Sequence, residues 1–193
     1  LNGSASIKSH FAPTLLGVVL AGGKSSRMGS DKAMLVLPSG LTFLDHAIER
    51  LHNVVNLVAT SGRAIERESV AFIPDLEASM GPAMAVYSAV FYAEQCGRNL
   101  VLITPVDMPD LTADHLRQLI DAADTHQPTC ATFDEGVPHP LVAIYPVSLK
   151  SELERVVASP RRSLRAWLST RSFTAVSLPS LALRNINTPD QLS

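Results

Sequence analysis

The chain reads as an α/β protein: a single three-layer, Rossmann-like domain with a mostly parallel sheet and helices on both faces. Three observations predict this. The run Leu16–Leu20 and the run Leu100–Ile103 are apolar on both faces instead of alternating, as strands buried inside a parallel sheet are. Such runs alternate along the chain with segments of helical period, which is the pattern of βα units. The length of 193 residues, with 46% hydrophobic and 18% charged content, suits one domain with a substantial core. Residues 15–193 are therefore read as one domain, and 1–14 as a flexible leader.

The first apolar strand stops at Gly22-Gly23, and Lys24, Ser25, Ser26, Arg27, Gly29, Ser30 and Lys32 follow. Adjacent glycines allow close backbone approach. Consecutive N–H groups in such a turn form an anion-binding concavity, to which Lys24, Arg27 and Lys32 bring positive charge. The Walker A spacing is absent, because Gly29 precedes Ser30-Asp31, and adjacent glycines do not make a dinucleotide fingerprint. A polyphosphate cradle is one reading; a glycine-rich turn with solvated charges is the other.

Leu35–Leu37 is a short strand-like run, ended by the turn signal Pro38-Ser39-Gly40. Thr42 and Asp45 resemble a capping box ahead of Phe43, Leu44, Ala47, Ile48 and Leu51, which have helical spacing. Val54–Thr60 and Val70–Ile73 are the next strands. The latter leads to Pro74-Asp75, where Asp75 is either a turn residue or a ligand contact at the carboxyl edge of the sheet. A helix rich in small residues runs from Ala83 to about Glu94. Beyond the strand Leu100–Ile103, Asp107 lies in Pro105-Val106-Asp107-Met108-Pro109, a turn stiffened by proline on both sides. A carboxylate there suits Mg2+, which takes one or two carboxylates plus phosphate oxygens and water; capping the next helix is the alternative, although Asp110 and Thr112 are better placed for it.

A helix over Thr112–Asp124 and a strand over Thr129–Phe133 lead to a hairpin-type turn at Asp134-Glu135-Gly136. His139, between two prolines, precedes the strand Leu141–Tyr145 and is either a structural histidine or a substrate contact. Arg161 and Arg162 begin a helix or clamp a phosphate, since the guanidinium fork fits phosphate oxygens. Near the end, Thr188, Pro189 and Gln191 have the arrangement of a helix N-terminus, with Asn185 and Asn187 just before it.

A formal net charge of -2 gives no global attraction to nucleic acid or membrane. Cys96 and Cys130 have no partners at metal-ligand spacing and read as inert thiols. No apolar run approaches the ~20 residues of a bilayer span, and residues 1–14 lack the apolar core of a secretory signal, so the cytoplasm is the expected location.

The pattern Leu20-Ala21-Gly22-Gly23-x-Ser25-x-Arg27-Met28-Gly29-x-Asp31-Lys32-Ala33 resembles the signature loop of the molybdenum cofactor guanylyltransferases, MobA-like members of the nucleoside-triphosphate transferase superfamily. The resemblance runs from about Gly17 to Leu192 and includes Pro-x-Asp-Met-Pro at Asp107, His139-Pro140 and the closing Asn185-x-Asn187-Thr188-Pro189. It implies a fold of the nucleotide-diphospho-sugar transferase type and transfer of GMP from GTP to the terminal phosphate of the molybdopterin cofactor, with release of pyrophosphate. Leu20, Ala21, Gly22, Gly23, Lys32, Asp75 and Asp107 would bind the nucleotide. Asp107 would hold Mg2+, and Lys32 and Arg27 would neutralise the leaving group. His139, Arg161, Arg162, Asn185 and Asn187 would face the acceptor. Cofactor-synthesis or acceptor molybdoenzyme proteins would be the partners, with no nucleic acid and no membrane. Two positions depart from the family: Ala85 stands where a glycine is usual, and the strand end Ala59–Ser61 lacks an asparagine, for which Thr60 or Ser61 could supply a hydroxyl. Gly22 leans toward GTP, because cytidylyl relatives tend to have alanine there. The alternatives are a CTP-dependent cytidylyltransferase and a non-catalytic carrier of the cofactor.

Overall fold

The computed structural model describes residues 14–22, 32–62, 64, 67–74, 76, 81–133, 136–187 and 191. Seven strands, β1 (Leu15–Leu20), β2 (Leu57–Ser61), β3 (Val70–Ile73), β4 (Leu100–Pro105), β5 (Thr129–Thr132), β6 (Pro138–Pro146) and β7 (Thr174–Ser177), form one sheet. Their order is β3-β2-β1-β4-β6-β5-β7. Neighbours are parallel throughout except at β6, which is antiparallel to both β4 and β5. The reversal follows from connectivity: β5 and β6 are joined by a short link, which makes a hairpin, whereas helices lie between β1 and β2, β3 and β4, β4 and β5, and β6 and β7.

Five helices, α1 (Phe43–His52), α2 (Pro82–Gln95), α3 (Ala113–Asp121), α4 (Lys150–Ala158) and α5 (Leu164–Leu168), cover the sheet. On one face Leu44, Ile48 and Leu51 of α1 and Leu116 and Leu119 of α3 pack against Leu15, Val19, Leu100 and Leu102. On the other, Val86, Ala89 and Val90 of α2, Leu153 of α4 and Leu164 of α5 pack against Leu16, Val18, Val101 and Ile103. Each strand thus sends alternate residues to two separate cores, which is why these strands read as apolar on both faces. The expected three-layer α/β architecture is present.

The chain leaves β1 toward β2 and β3 on one side and returns through α2 to β4 on the other. β1 and β4 are therefore the switch point, where ligands of such sheets gather at the carboxyl ends. Leu20 pairs with Pro105 at those ends, and the Val106 N–H donates to the Leu20 carbonyl at 3.1 Å.

Several boundaries differ from expectation. The segment Leu35–Leu37 is no strand but a single bridge, Val36 to Thr42, after a 3-10 turn at Lys32–Met34. Val54 and Val55 belong to the turn that closes α1, their N–H groups both donating to the Leu51 carbonyl, so β2 starts at Leu57. The N-caps hold: Thr42 accepts from the Asp45 N–H at 3.0 Å, and Thr112 forms a reciprocal capping box with His115. Helix α4, which the sequence reading does not include, buries Leu153, Val156 and Val157. β7 is a half-exposed edge strand with no apolar run to mark it.

Candidate active site

At the end of β1 the backbone meets the end of β2. A Cβ on Gly22 would lie 2.9 Å from the Gly62 Cα, and one on Gly62 would lie 2.3 Å from the Gly22 Cα. Gly62 also has φ +85°, a conformation that costs any L side chain energy. The Ala21 N–H completes the contact by donating to the Ser61 carbonyl at 2.8 Å. Gly62 was not singled out from the sequence, since Ser61-Gly62-Arg63 looks like any strand end. Gly23 and Arg27 lie outside the described residues, as does Asp75.

Lys32 begins the 3-10 turn Lys32–Met34 and lies at the switch point. Its Nζ stands 3.9 Å from the Asp107 Oδ2 and donates to the Asn187 Oδ1. Three segments far apart in sequence therefore converge at the ends of β1 and β4. Burial raises the Asp107 pKa, and the nearby Lys32 charge opposes that rise. A desolvated carboxylate of this kind gains from a cation.

The C-terminal segment is held against the same turn. The Ile186 N–H donates to the Asp107 carbonyl at 2.8 Å, and Ile186 itself is fully buried. Arg184 pairs with Asp110 at 3.1 Å. Gln191 reaches back to the Asn187 N–H at 2.6 Å, one residue earlier than a Thr188 cap would require. Asn185 is exposed. No cluster of three or more His, Cys, Asp or Glu side chains is found among the described residues. Among those residues the donor at Asp107 is a single carboxylate, which fits a Mg2+ shared with phosphate oxygens and water.

A second group of residues lies where β6 begins, at the same edge. The His139 ring packs against Phe133 with centroids 5.3 Å apart, and its Nδ1 is buried without a partner among the described residues. Burial, aided by the Arg165 charge, lowers the His139 pKa to about 4, so the ring is neutral at physiological pH. Arg165 was quoted in the sequence run but not selected; only the fold brings it near His139. Arg162 has φ 44° and donates from Nε to the Val157 carbonyl at 3.2 Å, so its guanidinium is partly engaged in closing α4. Arg161 lines a shallow cleft with Arg155, Ser163 and Trp167. Neither arginine is among the partners of Lys32, Asp107 or His139.

The two departures from the family pattern are also placed. Ala85 lies in the first turn of α2, half-buried and packed on the core, so its methyl is accommodated by the helix. Thr60 and Ser61 are buried within β2. Cys96 and Cys130 are unpaired thiols, and burial pushes Cys130 up to about 12, which leaves it unreactive.

Comparison with known proteins sets this geometry in context. Residues 17–176 match the sequence model of the MobA-like NTP transferase domain. A probable molybdenum cofactor guanylyltransferase of Rhodopirellula baltica is 43% identical, covering 95% of this chain and 92% of that protein. The molybdenum cofactor guanylyltransferase of Sinorhizobium fredii is 34% identical, covering 91% of this chain and 87% of that protein. Among solved structures, molybdopterin-guanine dinucleotide biosynthesis protein A of Archaeoglobus fulgidus is similar with a TM-score of 0.72, at 22% identity, covering 92% of this chain and 94% of that one.

Proposed function

We propose that this chain, which belongs to the MobA-like NTP transferase family, transfers GMP from GTP to the terminal phosphate of the molybdopterin cofactor. The relatives' activity supports the reaction class and substrates. The observation that carries the site assignment is the convergence of Lys32, Asp107 and Asn187 beside the Gly22–Gly62 contact at the switch point.

In the reaction an acceptor phosphate oxygen forms a bond to the α-phosphorus of GTP. The bond from that phosphorus to the β-bridging oxygen breaks, and pyrophosphate leaves with the electron pair. A terminal phosphate has its second pKa at ~6 and is already mostly dianionic at pH 7, so no side chain need deprotonate it. Catalysis then rests on placement and charge. The backbone at Leu20–Gly23 receives the nucleotide, its course set by the close approach of Gly22 to Gly62, which a Cβ on either residue would obstruct. Lys32 is assigned to neutralise the leaving pyrophosphate, and Arg27 joins it from its place in the signature pattern. Asp107 would hold Mg2+, which when bound would supply charge neutralisation for the triphosphate. Asp75 is assigned to the nucleotide from its place after Pro74.

On the acceptor side we assign His139, as a neutral ring that can exchange a hydrogen bond at its unpartnered Nδ1. Asn187, Asn185, Arg161 and Arg162 are the further candidates. Synthesis proteins or molybdoenzymes would supply or receive the cofactor. No helix among the described residues is long and apolar enough to cross a membrane, which is compatible with action in the cytoplasm.

Pyrophosphate release from purified protein with Mg2+ and molybdopterin cofactor, compared across GTP, CTP and ATP, tests the reading. Turnover with GTP that disappears in Asp107→Ala is the expected result. A preference for CTP would overturn the base assignment, and cofactor binding without turnover on any nucleotide would overturn the enzyme.

A further inference from the structure

The helical period of α1 gives Arg50 an inward position, seven residues after Phe43 and beside Leu51, and it is only 4% exposed. Burial lowers its pKa to about 10, so it remains cationic at neutral pH. Its one fully used terminal nitrogen donates to two carbonyls, Met108 and Leu111, each at 2.8 Å. Nε and the other terminal nitrogen are buried with no partner among the described residues. One turn earlier, His46 Nε2 lies 3.1 Å from the Pro109 carbonyl. With the Ile186 N–H on the Asp107 carbonyl, four carbonyls of the segment from Asp107 to Leu111 have a named donor from outside the turn.

This is a costly way to stabilise a core. A buried guanidinium with unused donors is commonly matched or bettered by a leucine or methionine of similar volume. What an apolar residue cannot do is fix the direction of two backbone carbonyls at once. The groups clamped are those of the turn that begins at Asp107, and the clamp acts from behind it, through α1.

We propose that Arg50, assisted by His46, is a positioning residue that sets the turn from Asp107 to Leu111 in the conformation that presents the Asp107 carboxylate to Mg2+. The inference rests on the assignment of Asp107 as the Mg2+ ligand. Arg50 touches neither the nucleotide nor the metal; it works through the backbone of the turn. Residues that orient a metal's carboxylate ligand typically change affinity about 10–100-fold when removed.

The test compares Arg50→Met, Arg50→Lys, His46→Phe and Asp107→Asn with Leu153→Ala, which opens a cavity in the opposite core and controls for lost stability. Two quantities are measured: Mn2+ binding by electron paramagnetic resonance with GTP present and no acceptor, and the Mg2+ concentration for half-maximal turnover. Arg50→Met is expected to weaken Mn2+ binding about tenfold and to raise the Mg2+ requirement in parallel. Arg50→Lys, which keeps a cation that can donate to a carbonyl but is shorter and lacks the guanidinium fork, should recover part of the loss. Leu153→Ala should lower Tm without moving either quantity.

If Arg50→Met binds Mn2+ as the wild type does while Asp107→Asn does not, the positioning role is overturned and the metal site stands. If Asp107→Asn also leaves binding unchanged, the metal assignment has failed and the inference goes with it. Should Arg50→Met not fold, His46→Phe, which removes one donor from a half-buried site, makes the same comparison with an expected two- to threefold weakening (roughly, below the range for a principal orienting contact); an unchanged affinity there overturns the proposal.

Discussion

The carboxyl edge of the sheet is built differently on its two sides. From β2 to β4 it is the backbone that is fixed: Gly22 against Gly62, Val106 against Leu20, and the carbonyls of 107–111 held by the Ile186 N–H and the side chains of Arg50 and His46. Around β5 and β6 it offers a side chain with unused capacity: a neutral His139, packed against Phe133, whose Nδ1 has no partner among the described residues. The difference matches two tasks. A triphosphate carries a large charge in a constant geometry, so a preset cradle saves reorganisation as the charge shifts. An acceptor with a heterocycle and one phosphate is recognised by complementary side chains, whose uncommitted hydrogen bonds give specificity.

The sharpest way to break this comparison is to remove charge from the rigid side. Lys32→Ala should reduce kcat about 10²–10³-fold, the range for losing one preorganised contact to developing charge. Stability should change by only ~0.5 kcal/mol, because the Lys32–Asp107 pair is long and partly solvated. Steady-state pyrophosphate release and thermal unfolding together check this. An unchanged kcat would remove Lys32 from the chemistry.

Backbone complementarity comes next. Gly62→Ala should destabilise the protein by about 3 kcal/mol or more, since its Cβ would press on backbone and its φ of +85° is unfavourable. Gly40 is the control: its φ is +87°, but nothing lies within 4 Å of a Cβ there. Gly40→Ala should therefore cost only the conformational part, about 1–2 kcal/mol. Urea unfolding of both variants separates strain from clash. Equal losses would mean that the contact with Gly22 yields easily and that the cradle is less rigid than drawn.

This contrast also explains what could be read from the chain. The Gly22-Gly23 loop and the Asp107 turn announce themselves because they interrupt fully apolar strands, and a strand's end places its next residues at the edge without further information. Gly62, Arg50 and Arg165 were silent for a common reason: each matters through a contact more than 20 residues away. Asn187 was singled out just before an expected helix start, yet its approach to Lys32 spans 155 positions and left no trace in local spacing. The reversed β6 was readable in principle from the short turn before it, whereas β7 had neither length nor apolar content to betray it. Asp75, Gly23 and Arg27 remain assigned by pattern, outside the described residues.

The smallest expected effect tests the adaptable side. His139 is neutral in the fold with its pKa lowered to about 4, while an unfolded histidine titrates near 6.5. Between those values the unfolded chain binds the extra proton, so stability rises with pH across that window and is lost as pH falls from about 6.5 toward 4. Above it both states are neutral and the contribution is flat. His139→Gln, which keeps a hydrogen-bonding side chain but cannot titrate, should show a shallower loss of stability between pH 6.5 and 4 and no difference in slope above pH 7. Urea unfolding at several pH values checks this. If wild type and variant lose stability with the same slope, His139 is solvated enough to protonate freely, and a neutral acceptor-facing ring is the wrong picture of this half of the site.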